Sequence, residues 1–229
     1  MDGFVNWLKQ LQFAPVIEIL IIAAASLLCI AVHETCHGLS AYWLGDNTAK
    51  RMGRLSLNPL KHIDPMGLIM LVVARFGWAK PVPVDMRRFK YPKAGMAITA
   101  LAGPVSNVLL MLVAACFYAA LSAVYVIHEV AAISYFLMFF EYIVILSAGL
   151  AVFNLFPVPP LDGSKVLFSL LPSNAYRFVL KYERYGAIIM IVLLLTDVLD
   201  GPLIYLRGLL LQQANNIIDP VFMLVLRLL

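Results

Sequence analysis

Residues 14–37 read APVIEILIIAAASLLCIAVHETCH: nineteen residues from Ala14 to Val32 with Glu18 as the only charge, then five residues carrying three ionisable side chains. About twenty mostly apolar residues cross about 30 Å of hydrocarbon as a helix. The apolar part therefore reads as a membrane span, and its helical character is expected to continue through His33 to about Leu44. His33 and His37 stand at i and i+4, on one face and one turn apart, so both imidazoles can reach one metal ion. Glu34 is the residue type, in the position, of a general base that takes a proton from zinc-bound water. With four His and five Glu in 229 residues, H-E-x-x-H is expected by chance about 0.0015 times. The alternative is a pair of histidines hydrogen-bonded within a helix bundle. Three ionisable groups at membrane depth would then cost at least a few kcal/mol each without a compensating partner.

The rest of the chain keeps to the same solvent. It is 62% apolar and 13% charged, against about 45–50% and 25% for a soluble globular protein, which excludes a freely soluble domain. Met96–Ile127 has no charged residue over 32 positions, and Val130–Pro157 has Glu141 near its middle. A last apolar stretch begins at Gly186 and runs to about Leu195, where Asp197, Asp200 and Gly201-Pro202 interrupt it. Pro65–Ala74 is too short to span and reads as a re-entrant or interfacial segment; the tail Val221–Leu229 is also too short.

Two segments of the loop after the first helix have strand chemistry. Arg54-Leu55-Ser56-Leu57-Asn58-Pro59 alternates, and the prolines of Ala79-Lys80-Pro81-Val82-Pro83-Val84 suit only a sheet edge. Such an edge could accept an unwound peptide by strand addition; the other reading is a solvated loop with Arg87, Arg88 and Lys90 facing anionic lipid. The expected fold is thus an all-α polytopic membrane protein. About four long transmembrane helices are joined by re-entrant or short helical segments and a small edge-type β element. Residues 1–229 form one membrane-embedded domain, with a catalytic core of about 14–170 and C-terminal helices in 171–229.

Seventeen Lys and Arg against thirteen Asp and Glu give a net charge of +4, which in a membrane chain reflects cytoplasmic loops, so nucleic acid is not an expected partner. Ten of the basic residues lie between Lys50 and Lys93 and four between Lys165 and Arg184, while the turn at His128 and Glu129 has none. The positive-inside rule then puts both basic loops in the cytoplasm and the His128 turn outside. The C-terminal ends of the first and third long helices share the cytoplasmic side. The first helix, which leads straight into the ionisable cluster, is expected to stay in the mature protein. Cys29, Cys36 and Cys116 lie in apolar stretches and offer no disulfide framework, and His62 with Asp64 is too little for a second metal site.

A catalytic zinc usually takes three protein ligands and leaves one position for water. Asp162, in Asn154-Leu-Phe-Pro-Val-Pro-Pro-Leu-Asp162-Gly163, is a candidate for the third, just beyond the third helix and on the side of His33. Pro157, Pro159 and Pro160 end that helix, and Gly163 permits a turn that aims the carboxylate back. The alternative role for Asp162 is to cap a helix beginning near Ser164.

H-E-x-x-H at the end of a first membrane helix, followed by N-x-x-P-x-P-x-x-D-G at the end of a later one, resembles the site-2 protease family of intramembrane zinc metalloproteases. Gly103-Pro104-Val105-Ser106-Asn107 and Gly77-Trp78-Ala79-Lys80-Pro81-Val82-Pro83-Val84 add to the resemblance, which covers about residues 25–170. It implies that His33, His37 and Asp162 hold one Zn2+ per chain and that Glu34 is the base. It further implies that Asn107 and Asn154 hold substrate backbone or the oxyanion. The implied activity is cleavage of a single-span membrane protein in or near its transmembrane segment, in a bacterial or archaeal cell membrane. The zinc would lie toward the cytoplasm, with lipid as the other partner. Without the PDZ insertion or nucleotide-sensing domain of some members, the chain reads as a minimal catalytic core. The competing reading is a metal transporter or non-catalytic scaffold, which has no need of a base beside its first ligand.

Overall fold

The computed structural model describes residues 16–67, 79–172, 174–176 and 185–229. The first apolar run forms α1, Val16–Trp43, which passes through the histidine pair without a break. A one-turn helix α2, Thr48–Arg51, and two short 3-10 turns, Pro59–His62 and Met86–Arg88, lie in the basic loop. The uncharged stretch is α3, Pro92–His128, with proline in its first turn, where the missing amide costs nothing. After Glu129, in the left-handed conformation, and Val130, the chain turns straight back as α4, Ala131–Leu155. Then come α5, Asp162–Ser169, α6, Gly186–Leu195, and α7, Asp200–Leu228.

Among the described residues, four helices are long and apolar enough to cross a membrane: α1, α3, α4 and α7. The fourth corrects the sequence reading in one respect. Gly186–Leu195 makes only the ten-residue α6, whereas the long helix starts where an interruption was expected and takes in the tail Val221–Leu229. Asp200, Gly201 and Pro202 occupy the first turn of α7. There free amides favour an acid and proline has no hydrogen bond to lose, so these residues start a helix instead of ending one.

Small residues let the helices approach closely. Ala25 and Cys29 of α1, Ala114 and Ala115 of α3, Ala148 of α4 and Ala214 of α7 meet in one buried cluster with Met111 and Ile143. Small side chains at such contacts are what packing in lipid requires, since burying apolar surface there gains little. Large apolar side chains such as Leu20, Phe117 and Phe136 point outward.

The edge-type β element is absent among the described residues, which contain a single antiparallel bridge between Ile63 and Ala79. Only part of the reason is in the sequence. Pro81 and Pro83 have no N–H to donate, and the Val82 N–H is spent on Glu34, 2.8 Å away. The loop is held by side chains instead. Asp46 is buried at the end of α1, accepting from the Thr48 amide and hydroxyl and, at 2.6 Å, from the Asp85 amide, with Arg88 alongside. Arg54 donates to the Lys80 carbonyl at 2.8 Å, and Lys80 N–H to His62 O at 2.9 Å. His62 is itself buried, its Nε2 2.7 Å from Ser56 O, so it is part of the scaffold of the loop. Most of the expected re-entrant segment Pro65–Ala74, and Gly77 and Trp78, lie outside the described residues.

Candidate metal centre

α1 carries His33 and His37 inward on one face, and the loop closing α4 brings Asp162 back against them from 125 or more residues away in sequence. His33 Nε2 is 3.1 Å from Asp162 Oδ2, His37 Nε2 is 3.0 Å from the same oxygen, and the two Nε2 atoms are 3.0 Å apart. All three residues are buried. Asp162 is the first residue of α5 and caps nothing, so its carboxylate is free to turn to the histidines. Burial alone would raise its pKa, but hydrogen bonding with His33 and His37 and the charges of His37 and Lys165 hold it below the ordinary carboxylate value. Its other oxygen, Oδ1, accepts from Lys165 Nζ at 3.2 Å.

Glycine serves close approach at two places here. A Cβ at Gly163 would lie 2.5 Å from Phe156 O, so the turn into α5 lies directly on the end of α4. Gly163 is helical, with no positive φ; space, and not the conformational freedom expected of it, is what it supplies. At Gly103 a Cβ would lie 2.6 Å from His33 Cε1, and closer still to His37 Nε2. Pro104 beside it removes one α3 hydrogen bond. Within this stretch of α3, the Thr99 carbonyl faces His37 Nδ1 at 2.7 Å and the Asn107 amide faces His33 Nδ1 at 3.2 Å.

The hydrogen bonds test whether the donors suit a metal. A carbonyl can only accept, so His37 Nδ1 carries a proton, and neutral His37 then has a bare lone pair at Nε2. That lone pair looks at the His33 ring nitrogen and at an anionic oxygen, both at about 3.0 Å. A proton between them satisfies one pair, whereas a divalent cation satisfies all three atoms. Bonds of about 2.0–2.1 Å in a tetrahedral set place neighbouring ligands about 3.3 Å apart, within a few tenths of an ångström of this triangle. Two imidazoles and a carboxylate, with room for a fourth position, fit zinc.

In front of the triangle is a cavity of about 350 Å³ lined by Glu34, Pro81, Val82, Thr99, Asn154 and Lys165 among others. Glu34 is half-buried; its Oε2 accepts the Val82 N–H at 2.8 Å, which leaves Oε1 to the cavity. Asn154 lies on the cavity wall, its amide donating to Leu150 O one turn back at 3.0 Å and its carbonyl left over. Asn107 is fully buried behind His33, away from that wall. Thr99, Lys165 and Val82 were not singled out from the sequence. Two act through main-chain atoms, which residue identity does not reveal, and the third through a loop-to-helix turn of uncertain register.

A buried site for a divalent ion beside a carboxylate, opening onto a cavity lined from three of the membrane-length helices, is the equipment of a membrane metalloprotease. Comparison with known proteins agrees. Residues 120–196, the stretch that includes Asn154 and Asp162, match the family model for peptidase family M50. The chain is 40% identical over 197 residues to "Putative zinc metalloprotease YwhC" of Bacillus subtilis, covering 86% of each chain. It is 28% identical to "Putative zinc metalloprotease Rip2" of Mycolicibacterium smegmatis, over 86% of this chain and 76% of that one. The Mycobacterium tuberculosis Rip2 is also 28% identical, over 88% and 78%. No solved structure matches. The chain belongs to peptidase family M50, the site-2 protease family, and is an integral membrane metalloprotease whose metal is zinc.

Proposed function

We propose that the protein is an intramembrane endopeptidase that hydrolyses a peptide bond in or near the transmembrane segment of a single-span membrane protein, in regulated intramembrane proteolysis. The observation that supports this reading is that the His33–His37–Asp162 triangle and Glu34 share one cavity, with both histidines and Glu34 carried by a helix of membrane-spanning length. His33, His37 and Asp162 hold the zinc, which when bound acidifies a water and polarises the scissile carbonyl. Glu34 accepts the proton of the attacking water and passes it to the leaving nitrogen. Val82 N–H fixes one oxygen of Glu34 and so sets the direction of the other. Asn154, with an unused carbonyl on the cavity wall, bonds the substrate backbone. Lys165 keeps Asp162 Oδ1 occupied, leaving Oδ2 for the metal.

The positive-inside rule, applied to the basic loops, supports a cytoplasmic position for this end of the bundle. Cysteines introduced near Arg88 should label from the cytoplasm and those near His128 from outside, and the reverse pattern would invert the orientation. The reaction itself is tested with purified protein in lipid vesicles and a single-span substrate. Glu34→Gln keeps shape but cannot accept a proton, and general acid–base assistance is typically worth about 10²–10⁴ in rate. The variant should bind zinc as the parent does and accumulate uncut substrate. Cleavage by Glu34→Gln at the parent rate would remove the mechanism and favour a metal-handling or scaffold role.

A further inference from the structure

Asn107 sits where a substrate cannot reach. It is fully buried, off the cavity wall, and it faces His33 Nδ1, across the ring from the Nε2 that meets His37 and Asp162. Its side-chain nitrogen lies 3.2 Å from His33 Nδ1, and its oxygen has no partner.

A side-chain amide can be read in two orientations, chosen by what its neighbours need. If the amide nitrogen donates to a bare Nδ1, the proton of neutral His33 sits on Nε2, in the middle of the metal ligands. If the amide is turned over, its oxygen accepts a proton from Nδ1, and Nε2 is bare. Either orientation leaves one amide atom without a partner, so that count does not decide between them. The ligand role of His33 does decide, because a metal-bound nitrogen carries no proton.

Resting on the zinc reading, we propose that Asn107 is a positioning residue that accepts the Nδ1 proton of His33 and fixes the tautomer that presents Nε2 to zinc. The Thr99 carbonyl does the same for His37 at 2.7 Å. Both orienting groups therefore come from a single stretch of α3, Thr99–Asn107, on either side of the Gly103 that lets the imidazoles close on the helix. This differs from the role implied by family resemblance, contact with substrate or the oxyanion, which requires a side chain facing the cavity, and Asn107 is not on its wall.

The two roles separate on zinc affinity, measured by chelator competition on the purified full chain in detergent. Asn107→Leu keeps the size but has no acceptor; Asn107→Asp is an acceptor only. Partners of this kind typically contribute about 10–100-fold in metal affinity, so Leu should weaken zinc binding by that factor and Asp should restore it to within about threefold. Parent affinity in the Leu variant would overturn the proposal, as would an Asp variant that folds yet binds as weakly as Leu. Should Asp fail to fold, histidine labelled with nitrogen-15 in the zinc-loaded parent gives an independent reading. The proposal requires a protonated Nδ1 at His33 and is lost if that nitrogen is bare. Failure of the parent to bind one zinc would instead count against the zinc site itself.

Discussion

The two ends of the helix bundle are held together differently. Around the metal site many of the buried side chains are polar: His33, His37, Asp46, His62, Thr99, Asn107, Asp162 and Ser164. Toward the His128 turn the buried positions of α3 are Ala114, Ala115, Ala119 and Ala123, and the side-chain contacts in that direction include Cys29 with Ser147 at 3.2 Å and Tyr142 with Glu18 at 2.9 Å. Close packing of methyl groups sets the His128 end, where dispersion and shape are what lipid leaves available. The metal end is set mainly by hydrogen bonds between named donors and acceptors, and each buried group left unmatched costs about 1–3 kcal/mol.

The largest effect expected from this contrast is all-or-none. His37→Ala or Asp162→Ala should remove the single zinc from purified protein by metal analysis, while Glu34→Gln retains it. Stoichiometric zinc in Asp162→Ala would show that the third ligand is another residue. Next is Gly103→Ala. Its methyl runs into both imidazoles, so it should destabilise the protein by about 1–3 kcal/mol and weaken zinc binding as well. Thermal unfolding and chelator competition read the two effects.

Toward the His128 turn an added side chain should have only one consequence. Ala119 is fully buried, and Ala119→Leu should lower stability by about 1–3 kcal/mol through overpacking with zinc affinity unchanged. A parallel fall in zinc affinity would mean that the two ends are not separable. Smallest is Gly149→Ala in α4, where an added Cβ meets nothing within 4 Å. Relief of glycine's helix penalty should raise stability by up to about 1 kcal/mol, seen as a small rise in melting temperature.

The two ends also differ in how readable they were. Apolar runs mark α1, α3 and α4 within a few residues because hydrocarbon imposes a length on them. His33, Glu34, His37 and Asp162 stand out in the sequence because metal chemistry restricts residue types, and the structure brings all four to one cavity. α7 was misread because Asp200-Gly201-Pro202 means "start" at a helix N-terminus and "stop" elsewhere, and local sequence does not say which. The β edge failed for a different reason: Val82 gave its amide to a side chain 48 residues earlier, a competition that residue pattern cannot reveal. Asp46 and His62 look like surface-loop residues in sequence and are among the most buried polar groups in the structure.

The bond from Val82 to Glu34 has a consequence in genetic terms. The donor is the main chain, so replacing the buried Val82 side chain with alanine costs packing but leaves the bond itself standing. Proline is the one ordinary replacement that deletes the N–H, and it would complete a run of three prolines from Pro81 to Pro83. A base whose orientation depends on a neighbour's backbone is thus shielded from nearly every missense change at that neighbour and exposed to a single one.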